Sequence, residues 1–280
     1  MNIHRLGLNT VSLKFTHLEE MAAAAAGAGW RTIECPLDQI RKELKQGMTP
    51  AQARAIINGH KLTVSGGFNQ NLVGLGTAAE IAKSRDEHTQ NAELIAALGG
   101  NTMVVGTDYI NWPEPKVEPD VIGRMADAAR AVADGIKQYH ITMAIEFNWG
   151  MVKTLLATVE IAKRSGAANV GVLFDPAHFN ATPSKTEHIT AETVKWIKHV
   201  HVDNMPVTPA ETTDCNTARL LPGDPAGCYD LVDLFGRFER LGYRGNYAIE
   251  MFNAELWALP PAVAAKRMFD AMQTAFSKLP

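Results

Sequence analysis

Cysteine is scarce in this chain. Cys35, Cys215 and Cys228 form an odd set without Cys-x-x-Cys spacing, which argues against a disulfide framework and a thiolate zinc site and for a reducing compartment. Long apolar runs are missing too: none approaches the roughly 20 residues that cross a bilayer. The opening Met-Asn-Ile-His-Arg-Leu-Gly-Leu-Asn lacks the pattern of a cleavable signal, so a soluble cytoplasmic protein is the expectation. No excess of positive charge marks a polyanion partner; 27 Lys and Arg against 30 Asp and Glu give a net charge of −3, with the basic residues scattered, which makes nucleic acid an unsuited partner. The lone Gly74-Leu75-Gly76 does not follow a strand in the register of a dinucleotide fingerprint. The late loops have no Gly-rich run opening a helix, which disfavours a phosphorylated substrate.

What is present is alternation. Short β-rich runs are expected at about 6 to 11, 31 to 35, 62 to 68, 102 to 106, 142 to 147, 170 to 175, 199 to 204 and 246 to 252. Helical stretches are expected between them, near 17 to 28, 50 to 59, 78 to 98, 120 to 139, 151 to 165, 188 to 197 and 229 to 241, with a last one after Pro260 and Pro261. The alanine run Met21 to Ala26 reads as the first of these helices, stopped by Gly27 and Gly29. Eight strand-helix units without a Pro/Ser-rich linker predict one domain over residues 1 to 280, an α/β fold with a single (β/α)8 barrel. The long connections 107 to 119 and 205 to 228 follow strands, so both are expected at the C-terminal mouth, shaping a substrate pocket.

Four residues recur at one kind of position, the downstream end of an apolar run: Glu146, Asp175, His201 and Glu250. Gaps of 29, 26 and 49 residues separate them, so only a fold that gathers strand ends makes them one site. In a barrel they fall at the ends of strands 5 to 8. Three carboxylates and an imidazole suit one divalent cation such as Mn²⁺, Mg²⁺, Co²⁺ or Zn²⁺, which is also the natural counter-ion for that much negative charge. His178, three residues after Asp175, is placed to polarise a substrate oxygen, and Arg219 offers a planar fork for a hydroxyl pair or oxyanion. His199 is read as structural, turned toward the surrounding helices.

These pieces carry a resemblance. Ile145-Glu146-Phe147, Asp175-Pro-Ala-His178, His201-Val-Asp-Asn204, Arg219 followed by Leu221-Pro-Gly-Asp224, and Ile249-Glu250-Met-Phe-Asn253 resemble the sugar isomerase and epimerase superfamily with a xylose-isomerase-like barrel, and within it the inosose (2-keto-myo-inositol) isomerases. The resemblance implies that Glu146, Asp175, His201 and Glu250 hold the metal and that His178 and Arg219 bind substrate oxygens, with Asn9 and Glu34 as further polar pocket residues. One departure stands out, Pro225 and Ala226 ahead of Gly227 in the loop after strand 7.

The implied activity is isomerisation or epimerisation of an unphosphorylated keto-sugar or inosose through a metal-stabilised enediolate, with Glu146 and Glu250 as the acid/base pair. A lyase acting on a keto-inositol or a 3-keto-glycoside could use the same residues, and a non-catalytic sugar-binding barrel is a third reading, although no ligand is missing. A homo-oligomer is compatible with the sequence. A three-metal barrel endonuclease is not, because the ends of strands 3 and 4, Gly66-Gly-Phe-Asn69 and Gly106-Thr-Asp108, lack the extra histidines.

Overall fold

Short aliphatic runs become eight strands: Leu6–Asn9 (β1), Thr32–Pro36 (β2), Thr63–Phe68 (β3), Thr102–Val105 (β4), Thr142–Glu146 (β5), Val170–Phe174 (β6), Ile197–Val202 (β7) and Tyr247–Ile249 (β8). In this computed structural model, which describes residues 3–15, 17–107, 120–148, 150–209, 212 and 214–279, the strands pair in chain order, each pair is parallel, and β1 closes on β8. The helices are Leu18–Ala28 (α1), Leu37–Lys45 (α2), Pro50–Gly59 (α3), Ala78–Leu98 (α4), Val121–Ile136 (α5) and Leu155–Ser165 (α6). Pro176–Ala181 (α7), Ala191–Val194 (α8), Leu231–Arg240 (α9), Ala254–Trp257 (α10) and Pro261–Phe276 (α11) complete them. The result is the expected (β/α)8 barrel. No helix among the described residues is long and apolar enough to cross a membrane.

Local chemistry sets the helix ends. Thr49 with Gln52 and Thr77 with Glu80 form capping boxes that satisfy the first amides of α3 and α4. The alanine run is indeed α1; Gly29 ends it at φ +111°, where a Cβ would also meet the Phe269 ring at 2.8 Å. The N-cap of α1 is His17, whose side chain makes no capping hydrogen bond. Between barrel and helices sits the main core, which includes Trp30 packed edge-on against Phe269 and the Phe147, Phe174 and Phe179 cluster behind β5 and β6. Inside the barrel, Val104, Ala144 and Leu173 form a small apolar plug.

Three expectations need correction. α2 follows β2 directly, where no helix was expected, and α7 starts at Pro176. Both open with a proline at or next to the first turn, a residue that presets φ for a helix start as well as breaking one. The helix expected over 188 to 197 shrinks to α8, because the Trp196 carbonyl already accepts from Val172 N–H at 2.8 Å and the chain enters β7 at Ile197 rather than 199. The connection expected at 107 to 119 begins with Thr107 bridged to Leu72; residues 108 to 119 lie outside the described residues. The connection 205 to 228 is held by antiparallel bridges Asn204↔Leu220, Pro206↔Gly227 and Ala218↔Asn253, which bring Arg219 over the end of β8. Glycine is required at 227, since a Cβ there would lie 2.2 Å from Asn204 Nδ2.

Candidate active site

The parallel barrel delivers β5 to β8 side by side, and their C-terminal ends bring the four residues together. Glu146 ends β5, Asp175 is the residue after β6, His201 lies near the end of β7, and Glu250 follows β8. One donor atom from each lies within 4.8 Å of the others. His201 Nδ1 is the hub, 3.5 Å from Glu146 Oε1, 3.6 Å from Asp175 Oδ2 and 3.3 Å from Glu250 Oε2. Yet His201 Nδ1 and Glu146 Oε1 are buried without a hydrogen bond. Orphaned donors at the focus of three carboxylates are costly unless something completes them. One nitrogen and three oxygens facing a common point fit a divalent cation of the hard to borderline class.

The electrostatics agree. Burial alone would raise the Asp175 carboxyl, but Arg219 and the imidazoles of His178 and His201 outweigh it and hold Asp175 far below the usual carboxylate range. Burial would likewise raise Glu250, and His201 and Arg219 pull it down. Burial would lower His201, whereas the Glu250 and Glu34 carboxylates push it well above its ordinary value.

Three of the four donors are aimed by a partner. Asp175 caps α7: its Oδ1 accepts from Ala177 N–H at 2.7 Å and His178 N–H at 3.2 Å, which turns Oδ2 toward the focus. Asn9 donates from Nδ2 to Glu250 Oε1 at 2.8 Å, its own Oδ1 being fixed by Val11 N–H. Glu34 lies beneath His201, and both its oxygens are 3.3 Å from Nε2. That contact keeps a proton on Nε2, so Nδ1 is the nitrogen that a cation at the focus can take once its own proton has left.

Asn9 lines the cavity, as expected of a polar pocket residue, and also holds Glu250 through its amide, whereas the expectation for Glu34 is corrected: with no exposed surface it serves His201 from below and does not line the cavity. His199 is corrected as well. Strand residues two apart share a face, so His199 points inward beside His201 and meets Glu34 Oε2 at 2.7 Å. Glu34→Ala should therefore weaken metal affinity by about 10- to 100-fold, as removing the partner of a metal-binding imidazole does; competition with a chromogenic chelator measures it.

Arg219 is fully buried and turned onto carboxylates. Its Nη1 donates to Asp175 Oδ2 at 3.1 Å, to Glu250 Oε2 at 2.8 Å and to Asp203 Oδ2, while Nε donates to the Cys215 carbonyl and Phe252 covers the guanidinium face. Asp203 escaped the sequence reading. The signal existed, since it stands two residues after His201 on the same strand face. His178 lines the cavity with Nε2 3.8 Å from Glu146 Oε2; burial would lower its pKa, but Glu146 and Asp175 outweigh that and push it up to about 9. The cavity above the four donors measures about 400 Å³ and is lined by Asn9, Glu146, His178, His201, Arg219 and Glu250 among others, a size suited to a small ligand.

A closed parallel barrel with four residues at the C-terminal mouth of β5 to β8 that could hold a cation defines a class of barrels with a candidate metal site. The chain belongs to the xylose isomerase-like TIM barrel family, whose model matches residues 22–275. Among curated relatives it is similar to the inosose isomerases of Bacillus velezensis, 26% identical over 157 residues, and Halalkalibacterium halodurans, 27% identical over 146 residues. These alignments cover 55% and 51% of this chain and 55% and 50% of the relatives, so the match spans about half the length of each. The fold is shared with the crystal structure of the IolI protein with a bound zinc atom, at a TM-score of 0.87 and 20% identity over 98% of this chain and 99% of that one. It is also shared with D-psicose 3-epimerase with D-tagatose from Clostridium cellulolyticum H10, at a TM-score of 0.75 and 15% identity over 98% and 99% of the two chains.

Proposed function

We propose that the protein is a divalent-metal-dependent isomerase or epimerase of an unphosphorylated keto-sugar or inosose. The observation that carries this reading is the pair Glu146 and Glu250, which reach one cavity from separate strands and stand on either side of the orphaned His201 nitrogen. Glu146, Asp175, His201 and Glu250 would hold the cation, which when bound supplies Lewis-acid polarisation of a ketone and its neighbouring hydroxyl. The half-length similarity to inosose isomerases supports the same substrate class.

The residues divide the work. Glu146 takes the C–H proton beside the ketone as general base, since neither of its oxygens accepts a close hydrogen bond within the described residues. Glu250, held on both oxygens by Asn9 and Arg219, returns the proton on the other face, and the roles reverse with reaction direction. His178, cationic near neutral pH, donates to the oxygen that gains charge in the enediolate. Arg219 acts through Asp175 and Glu250, fixing their oxygens.

The test is exchange. Metal-loaded protein incubated with inososes and ketohexoses in D₂O should incorporate deuterium at the carbon next to the ketone; stoichiometric release of water or an aglycone would establish a lyase instead, and product without wash-in would point to hydride transfer or to a proton retained within the site. His178→Gln should keep its metal while turnover falls by up to about 10²-fold, because substrate orientation is lost without loss of a ligand. Metal content by atomic emission, measured beside the rate, separates the two effects.

A further inference from the structure

Besides the metal-site residues, the cavity is lined by amides and apolar side chains, with Asp38 the one further carboxylate among the described lining residues. Asn69, Asn71, Asn148 and Asn216 line it, and apart from histidines the only cationic side chain among the described lining residues is Arg219, which is engaged by carboxylates. Asn69 is committed elsewhere, accepting from Arg41 and donating to Gln70. Asn148 is fixed by its oxygen, which accepts from Gly150 N–H at 2.8 Å and from the Thr107 hydroxyl at 3.3 Å, and among the described residues no hydrogen bond occupies its Nδ2. The Asn71 side chain makes no hydrogen bond at all within the described residues.

Gly106, just past the end of β4, makes room for both amides. A Cβ on it would lie 2.2 Å from Asn71 Oδ1 and 3.2 Å from Asn148 Nδ2. An acceptor and a donor thus converge beside a residue without a side chain. A neutral hydroxyl satisfies both, donating to Asn71 Oδ1 and accepting from Asn148 Nδ2; a phosphate oxygen, an acceptor only, would satisfy one and be repelled by the other. Asn148 stands two residues beyond Glu146, about 6.6 Å along an extended chain, of the order of the distance across a six-membered polyol ring between opposite hydroxyls.

We propose that Asn71, Asn148 and Gly106 form a subsite that reads a neutral hydroxyl of a cyclic polyol on the side of the ring away from the reacting ketone. This inference rests on the keto-polyol reading given above and deepens it, since it selects six-membered rings over short ketones and unmodified hydroxyls over phosphate esters. Gly106→Ala displaces the flexible end of Asn71 rather than backbone, so the fold should hold, and Asn71→Ala removes the acceptor without breaking any bond within the described residues.

The experiment titrates Mn²⁺-loaded wild type and both variants with 2-keto-myo-inositol and, separately, with dihydroxyacetone, a three-carbon ketone too short to span from the cation to the amides. In both variants inosose affinity should fall by about 10- to 100-fold, the scale of one lost hydroxyl pairing in a buried site, with the loss confined to the six-carbon ketone. Unchanged inosose affinity in both variants would overturn the subsite and leave the keto-polyol reading standing. Equal weakening of both ketones would also overturn it, because the amides would then act through the metal centre. Wild type that binds neither ketone would remove the keto-polyol reading and the subsite with it.

Discussion

Glu146→Gln should lower turnover by about 10² to 10⁴-fold, the span expected when a general base is removed, while metal affinity falls much less. The shape of the side chain is kept, and its amide oxygen can still face the cation. What disappears is the capacity to accept a proton. Glu146 is the freer of the two carboxylates: Oε1 is buried without a hydrogen bond, 3.5 Å from His201 Nδ1, and Oε2 has only His178 at 3.8 Å. A carboxylate with no close hydrogen bond on either oxygen can turn one of them to the substrate C–H without breaking a bond. Deuterium wash-in beside the ketone should slow in parallel with turnover, and a variant that exchanged at the wild-type rate would take the base role away from Glu146.

Glu250→Gln should behave differently in one respect. Its Oε2 accepts from Arg219 and its Oε1 from Asn9, so an amide NH₂ placed at either position would face a donor. Metal affinity should therefore suffer more than in Glu146→Gln, even where the losses of turnover are similar. The ratio of the two effects, measured on the same preparations, distinguishes a carboxylate that mainly moves protons from one that is also part of a fixed ionic frame.

The site was legible in the sequence to the extent that strand ends were legible. Glu146, Asp175, His201 and Glu250 each close an apolar run, and a parallel barrel leaves such ends only one place to go. What lay one layer deeper was not. Glu34 comes from β2 on the far side of the barrel, and its bond to His201 spans 167 residues, a partnership without local spacing. Asn9 and Arg219 line the cavity and also hold carboxylates, a second task without a sequence signal, because a polar residue at a strand end or in a long loop reads the same whether it meets a ligand, a neighbouring carboxylate or both. Only their hydrogen bonds show it. His199 is a different case, misread although the two-residue period of β7 was enough to place it beside His201. α7 was legible too, as an Asp cap followed by proline, although no helix was expected there.

Stripping the protein with a chelator should abolish turnover, and restoring activity with Mn²⁺ should become harder as pH falls. The sign follows from His201. In the metal-free protein burial would lower its pKa, but Glu250 and Glu34 raise it well above the ordinary value, so at neutral pH Nδ1 shares a proton with the carboxylates around it. A cation can use that nitrogen only after the proton leaves. Asp175 and Glu250 are already held ionised, so they release none. Binding should therefore liberate one proton from His201 while pH stays below its raised value, and affinity should rise on the order of tenfold per pH unit over that window, levelling off once the imidazole is neutral in the free protein. Calorimetric titrations with Mn²⁺ in buffers of differing ionisation enthalpy count the proton directly. A count near zero at pH 7 would mean that Nδ1 is already bare in the metal-free protein, and that the carboxylates raise the imidazole far less than their geometry implies.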